Sequence, residues 1–244
     1  SSFFNVRSYE EDNIKATERI VNILEKSKNL ELFFFASTIG SVDRKKTELK
    51  FKPLDEKSTP HPRSAYGKSK LECENIITAK NLPYIILRIT WAYGPGMRLN
   101  SHISTFIRDS IKNKLYTRIN FPGRVSLIYI DDLINGIWLL SNSKKTIKNI
   151  YFISDSNPIA LGEIFKKINF NIGQESKLVS LPKWLVWILK IVSPLLPFKA
   201  SVLFNDSLVC SSKKIESLGF TPEIDYEMGL IKTVEWIKSE NIDV

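Results

Sequence analysis

The run Tyr66-Gly67-Lys68-Ser69-Lys70 holds the clearest chemistry in the chain. Residues four apart on a helix share a face, so a lysine ammonium here lies one turn from a phenol. The positive charge favours the phenolate and draws down a pKa that starts near ~10. A phenol tuned in this way donates or accepts a proton while hydride moves to or from the adjacent carbon. The lysine can also bond the ribose hydroxyls of a nicotinamide cofactor. By spacing alone such a pair also arises by chance on an exposed helix face. Its context is an apolar run that ends in Ser37-Thr38, upstream of Tyr66. Parallel sheets gather ligands at the carboxyl ends of their strands, which would bring Thr38 beside Tyr66 with its hydroxyl bonded to the reacting oxygen.

The elements that must position these groups follow from the hydrophobic pattern. Ile14, Ile20, Val21 and Leu24 recur at helical spacing between Asp12 and Lys26, with Asp12 or Asn13 as the cap. Residues 30–36 read as a buried strand, 41–62 as a charged, proline-containing loop, 64–80 as a helix and 83–90 as a second buried strand. The turn Tyr93-Gly94-Pro95-Gly96 follows. Further helices are expected at 103–113, 131–140, 161–168, 182–192 and 226–238, and further strands at 125–130 and 150–153. Strands that are apolar on both faces, alternating with helices, predict an α/β fold with a doubly wound parallel sheet.

The composition is that of an ordinary globular protein, 43% hydrophobic and 25% charged, with a net charge of +9. The densest basic stretch is Arg44, Lys45, Lys46, Lys50 and Lys52, which reads as a solvated loop. No nucleic-acid motif accompanies it. Cys73 and Cys210 are far apart and form no CxxC, and His61 and His102 make no metal cluster, so a reducing cytoplasmic setting without a metal fits. The apolar segment 182–198 falls short of the ~20 residues that cross a bilayer. It can be a buried or lid helix, a membrane-surface helix or a dimer contact.

Several runs, taken in order, resemble the extended short-chain dehydrogenase/reductases of the NAD-dependent epimerase/dehydratase kind. They are Asp12-Asn13-Ile14-Lys15-Ala16-Thr17, Phe34-Phe35-Ala36-Ser37-Thr38 and Ser64-Ala65-Tyr66-Gly67-Lys68-Ser69-Lys70. Ile86-Leu87-Arg88 with Ala92-Tyr93-Gly94-Pro95-Gly96, Ile128-Tyr129-Ile130-Asp131-Asp132 and Leu218-Gly219-Phe220-Thr221-Pro222 complete the set. The resemblance implies a Rossmann-like core with a smaller C-terminal substrate-binding region, divided as 1–122 and 123–244. It implies NAD or NADP as cofactor, Tyr66 as acid/base, Lys70 as its partner and ribose ligand, and Thr38 as the third catalytic hydroxyl. Thr90 then passes the nicotinamide, and Asn13 either sits near the cofactor or simply caps its helix. Pairing of helices 12–26 and 64–80 in a homodimer is implied as well.

The chain departs from that family in two places. No Gly-x-x-Gly-x-x-Gly turn occurs, and the first recognisable element corresponds to a point after the family's fourth strand. The expectation is that roughly 80–90 residues precede Ser1 in an intact relative, with an unpaired sheet edge as the result. The substrate-binding arginine is also displaced: Arg124 stands one place early, before Val125. Arg98 and Arg124 can bind a diphosphate by charge-assisted hydrogen bonds or be plain surface residues. The leading expectation is a small-molecule substrate, a nucleotide sugar, undergoing epimerisation, dehydration or reduction. Thr38 is followed by Ile39-Gly40 rather than by an acidic pair, which favours epimerase or reductase. The alternatives are a 3β-hydroxysteroid-like dehydrogenase, with 182–198 lining a lipid-facing pocket, and a non-catalytic scaffold fragment.

Overall fold

The computed structural model describes residues 9–45, 52–155, 157–193, 198–205 and 208–240. Lys46 and Lys50 of the basic stretch, and residues 194–197 of the apolar segment, lie outside them. The elements that position the site are α1 (Ala16–Leu24), β1 (Phe33–Thr38), α2 (Ala65–Thr78), β2 (Tyr84–Ile89) and β3 (Trp91–Tyr93). They are followed by α3 (His102–Ile111), β4 (Leu127–Tyr129), α4 (Ile130–Ser141), β5 (Asn149–Ile153), α5 (Leu161–Asn171), α6 (Lys183–Val192) and α7 (Tyr226–Ser239).

The principal sheet runs β1-β2-β5, all parallel. Because side chains alternate across a strand, the two faces can be read residue by residue. Phe33, Phe35, Tyr84, Ile86 and Ile150 pack with Val21 and Leu24 of α1 and Ile77 of α2. Phe34, Ile85, Leu87, Ile89, Tyr151 and Ile153 pack with Leu133, Ile137 and Leu140 of α4 and with Ile215 and Phe220. Helices therefore cover both faces, as a doubly wound sheet requires. Among the described residues β1 pairs with β2 alone and forms the sheet's edge. A third apolar cluster, centred on Phe165, joins α3, α5, α7 and the 202–210 segment into a smaller C-terminal region.

Two runs far apart in sequence meet at the start of α4. The Asp132 carboxylate, 1% exposed, accepts hydrogen bonds from the backbone N–H groups of Glu223 and Ile224 at 2.9 and 3.1 Å. The loop after β1 is stitched to the C-terminal region in the same manner: Leu54 N–H donates to the Val209 carbonyl, and Ser211 N–H to the Leu54 carbonyl.

The start of the first helix differs from expectation. Glu10–Lys15 is a π-helical turn leading into α1, with no side-chain cap. Asn13 lies inside that turn, so the capping reading of Asn13 is replaced. Its amide instead donates to Ser69 Oγ on α2 at 2.9 Å. The first strand also begins three residues later than the apolar run and extends through Ser37 and Thr38.

Candidate active site

Helix α2 starts at a true cap. Ser64 Oγ accepts from Gly67 N–H at 2.9 Å, which fixes the first turn and with it the placement of Tyr66. Gly67 lets that turn lie against the 3-10 turn Ile39–Ser41 that follows β1. A Cβ on Gly67 would stand 2.1 Å from the Gly40 carbonyl oxygen. Both partners are backbone and neither can swing aside. We expect Gly67→Ala to cost about 3 kcal/mol of folding stability by overpacking, read as a drop in the urea midpoint; an unchanged midpoint would show that the two turns are not in close contact.

This contact brings the carboxyl end of β1 to the start of α2. Thr38 Oγ1 accepts from Gly40 N–H at 3.2 Å, and its own proton has no partner among the described residues. Tyr66 is 40% exposed, with its ring 5.8 Å from that of Tyr9. Burial raises the Tyr66 phenol above the ordinary tyrosine range, and the Arg98 guanidinium opposes that rise. This corrects the expectation that Lys70 draws the phenol down. The Lys70 ammonium points at the strand instead: Nζ donates to the Ala36 carbonyl at 3.1 Å and lies 4.7 Å from the Phe35 ring centre. Burial lowers the Lys70 pKa, as expected for a cation drawn out of water.

Asn13 reaches the same helix from the other side. Ser69 Oγ accepts from Asn13 and donates to the Tyr66 carbonyl at 2.9 Å, so Asn13 is linked to the backbone of Tyr66 through one hydroxyl. Thr90 is buried at the end of β2, and its hydroxyl donates to the Ile153 carbonyl at 3.2 Å. Arg98 lies with Tyr93, Pro95, Met97 and Ile130 around a cleft of about 380 Å³. The chain enters this cleft through Gly96, whose φ of +79° suits glycine. Arg124 is placed elsewhere. It is exposed and donates to the Pro158 carbonyl at 2.7 Å, while its neighbour Val125 is fully buried. Successive side chains alternate across a strand, so Arg124 faces away from the side that buries Val125.

A buried network behind this surface was not read from the sequence, although Ser37 and Arg88 belong to runs named there. Glu74 lies two turns beyond Tyr66 on α2, and its carboxylate is 2% exposed. It accepts from Ser37 Oγ, from Ser41 Oγ at 2.8 Å, and from the Arg88 guanidinium through Nη2 at 2.7 Å and Nε at 3.2 Å. One carboxylate thus fastens β1, the turn after it and β2 to α2. The signal was available: Arg88 is the lone charge in an apolar strand, and such a charge demands a partner. Glu74 continues the 66, 70 series at helical spacing.

A second cavity, of about 340 Å³, opens among β3, α3 and the 202–203 segment. Trp91, Asn100, His102, Thr105, Phe106 and Tyr116 are among its lining residues. Trp91 and His102 stack with ring centres 4.2 Å apart.

Residues 4–154 match the family model "NAD dependent epimerase/dehydratase family". The chain belongs to this family, whose members are enzymes of the extended short-chain dehydrogenase/reductase type. UDP-glucuronate 4-epimerase 1 of Arabidopsis thaliana is 28% identical over 260 residues, covering 96% of this chain and 55% of that protein. dTDP-D-glucose 4,6-dehydratase of Mus musculus is 25% identical over 248 residues, covering 97% of this chain and 64% of that protein. The chain therefore spans between about half and two-thirds of the length of these relatives. The crystal structure of UDP-glucuronic acid 4-epimerase from Bacillus cereus in complex with NAD superposes with a TM-score of 0.77 at 20% identity. It covers 98% of this chain and 72% of that one and shows the shared fold.

Proposed function

We propose that the chain carries the catalytic and substrate-side part of an NAD-dependent enzyme that oxidises a secondary hydroxyl of a nucleotide sugar. The observation that carries this reading is the close packing of α2 on the turn after β1, which sets the start of the helix bearing Tyr66 against the strand end bearing Thr38, and the Arg98 guanidinium bears on the same phenol. The names of the relatives support a nucleotide sugar over a steroid. Residues 1–122 belong in this reading to the Rossmann-like core, and 123–244 to its return and the substrate region. Two buried free cysteines suit a cytosolic setting. Pairing of two copies through α1 and α2 belongs to the same reading.

The fit of the cofactor is specific to one end. Tyr66 and Lys70 supply a phenol and an ammonium, donors suited to a ribose, and Thr90, whose proton goes to the Ile153 carbonyl, adds a hydroxyl oxygen at the end of β2; Asn13 supports the helix that bears Tyr66 and Lys70. NAD supplies a hydride acceptor when bound. Tyr66 would take the proton from the sugar hydroxyl oxygen while the carbon bearing that oxygen gives its hydride to the acceptor and becomes a carbonyl. Thr38, with its proton uncommitted, donates to the same oxygen and steadies the charge that develops on it. Arg98 serves twice in this reading: it holds a diphosphate oxygen and keeps the buried phenol from rising further. Arg124 can reach the substrate only by leaving Pro158, so Arg98 is the better placed of the two.

Two measurements test this. Calorimetry with NAD and NADP, followed by NMR of UDP-glucose, UDP-glucuronate and dTDP-glucose incubated with the chain and NAD, should reveal cofactor binding and an epimerised or oxidised sugar. Absence of both would leave the scaffold-fragment reading. Replacing Arg98 by Gln removes a positive charge that lowers the Tyr66 pKa. The proton-accepting form of Tyr66 then appears only at higher pH, so the rising limb of the rate–pH profile moves to the alkaline side and KM for the nucleotide sugar rises. A profile that stays in place would separate Arg98 from Tyr66.

A further inference from the structure

Helix α6 turns its most aromatic face to solvent. Trp184 and Trp187 are 65% and 67% exposed, and Ile188 and Ile191 are 41% and 44% exposed. Their spacing of three, four and seven residues places all four on one continuous stripe. Leu185, Val186, Leu189 and Val192 are half-buried on the opposite side, toward the body of the protein. The helix therefore has two apolar faces, one packed and one open. Lys183 and Lys190 are exposed and seven residues apart, which sets them together along one flank of the stripe. From Ser176 to Asn205 the chain carries Lys177, Lys183, Lys190 and Lys199 and no aspartate or glutamate.

We infer that α6 docks the protein onto an anionic lipid surface. The helix would lie in the plane of the interface, with Trp184, Trp187, Ile188 and Ile191 below the headgroups and Lys183 and Lys190 among the phosphates. Tryptophan suits that boundary because its ring is largely apolar and its indole N–H still finds a polar partner there. Among the described residues no helix is long and apolar enough to cross a membrane, so the contact is one of lying on the surface. A second copy of the chain is a poorer occupant. Two-fold pairing of α6 would set the lysines of both copies along one contact, and residues 176–205 offer no acid to answer them. The lysine flank and the overall charge of +9 complement an anionic bilayer instead.

The test is co-sedimentation of the whole chain with vesicles of phosphatidylcholine alone and of equal parts phosphatidylcholine and phosphatidylglycerol. The wild type should pellet with the mixed vesicles and its tryptophan emission should shift to the blue. Charge alone draws a basic protein to such vesicles, so the deciding variant is the pair Trp184→Ser and Trp187→Ser. It should weaken partition by at least about tenfold while leaving the melting temperature unchanged, because both side chains are exposed. Lys183→Gln with Lys190→Gln should weaken it several-fold. Three results would overturn the inference: no pelleting with the mixed vesicles, equal pelleting of the tryptophan variant, or a dimer by light scattering that disappears in that variant. The last would assign the face to a second copy.

Discussion

Under the proposed function, Tyr66→Phe lowers turnover by about 10²–10⁴-fold, the range expected for losing a positioned proton-transfer group, with KM and the melting temperature little changed. The substitution removes one oxygen from a side chain that is 40% exposed and leaves the ring beside Tyr9. The helix cap at Ser64 and the contact of Gly67 with Gly40 do not involve that oxygen, so the fold has no reason to respond. The pH profile offers a second check. Burial holds the phenol above its usual range, so in the wild type the rate should climb as pH rises toward that raised value. The residual rate of Tyr66→Phe should show no such limb. Turnover retained in the variant would remove Tyr66 from the reaction, whatever the fold says.

The largest effect on stability is expected from Glu74. In Glu74→Ala the Arg88 guanidinium stays 4% exposed between α2 and β5 without its carboxylate, Ser37 loses its acceptor, and Ser41 keeps only the Thr38 carbonyl. Breaking a buried pair by removing one partner costs about 3–5 kcal/mol, a large part of a typical domain's stability. Urea denaturation followed by circular dichroism should show that loss. The double variant Glu74→Leu with Arg88→Met should recover most of it, because nothing charged is then left buried. If Glu74→Ala unfolds at the wild-type urea concentration, the four-group network is not formed in solution. The network carries a functional expectation too, since it anchors the strand end that presents Thr38 and the helix that presents Tyr66.

The order of elements could be read from the chain because each announces itself locally. The strand Tyr84–Ile89 is apolar on both faces, and the helices around Tyr66, Ile103 and Leu161 show their period within a dozen residues. The π-helical turn at Glu10–Lys15 gave no such sign. Its sequence has the composition of an ordinary helix start, and contact with Ser69 on another helix decides where Asn13 points. The same limit applied to the site. Tyr66 and Lys70 could be paired by spacing, yet spacing says nothing of rotamer, and the lysine is turned to the Ala36 carbonyl and the Phe35 ring. Arg98 acts on Tyr66 through a turn and two strands that bring residues 32 positions apart together, and that proximity is visible only once the chain is folded. Arg124 shows the same limit: the sequence left a diphosphate ligand and a surface residue both open, and the folded chain puts its guanidinium on the Pro158 carbonyl.

The stitching of the loop after β1 to the 208–211 segment also fixes when during synthesis that loop can settle. The Arg44 guanidinium donates to the Val209 carbonyl, a partner 165 positions further along the chain. At about 5–20 residues per second, the ribosome takes roughly 10–30 s to deliver that partner after Arg44 has emerged. The three-stranded sheet can close as soon as β5 is out, so the nascent chain passes through a stage with its sheet formed while Arg44 and Leu54 still lack their partners in the 208–211 segment. Proteases and chaperones meet the protein at that stage, with the loop after β1 held to the sheet at its start and not yet to the C-terminal region.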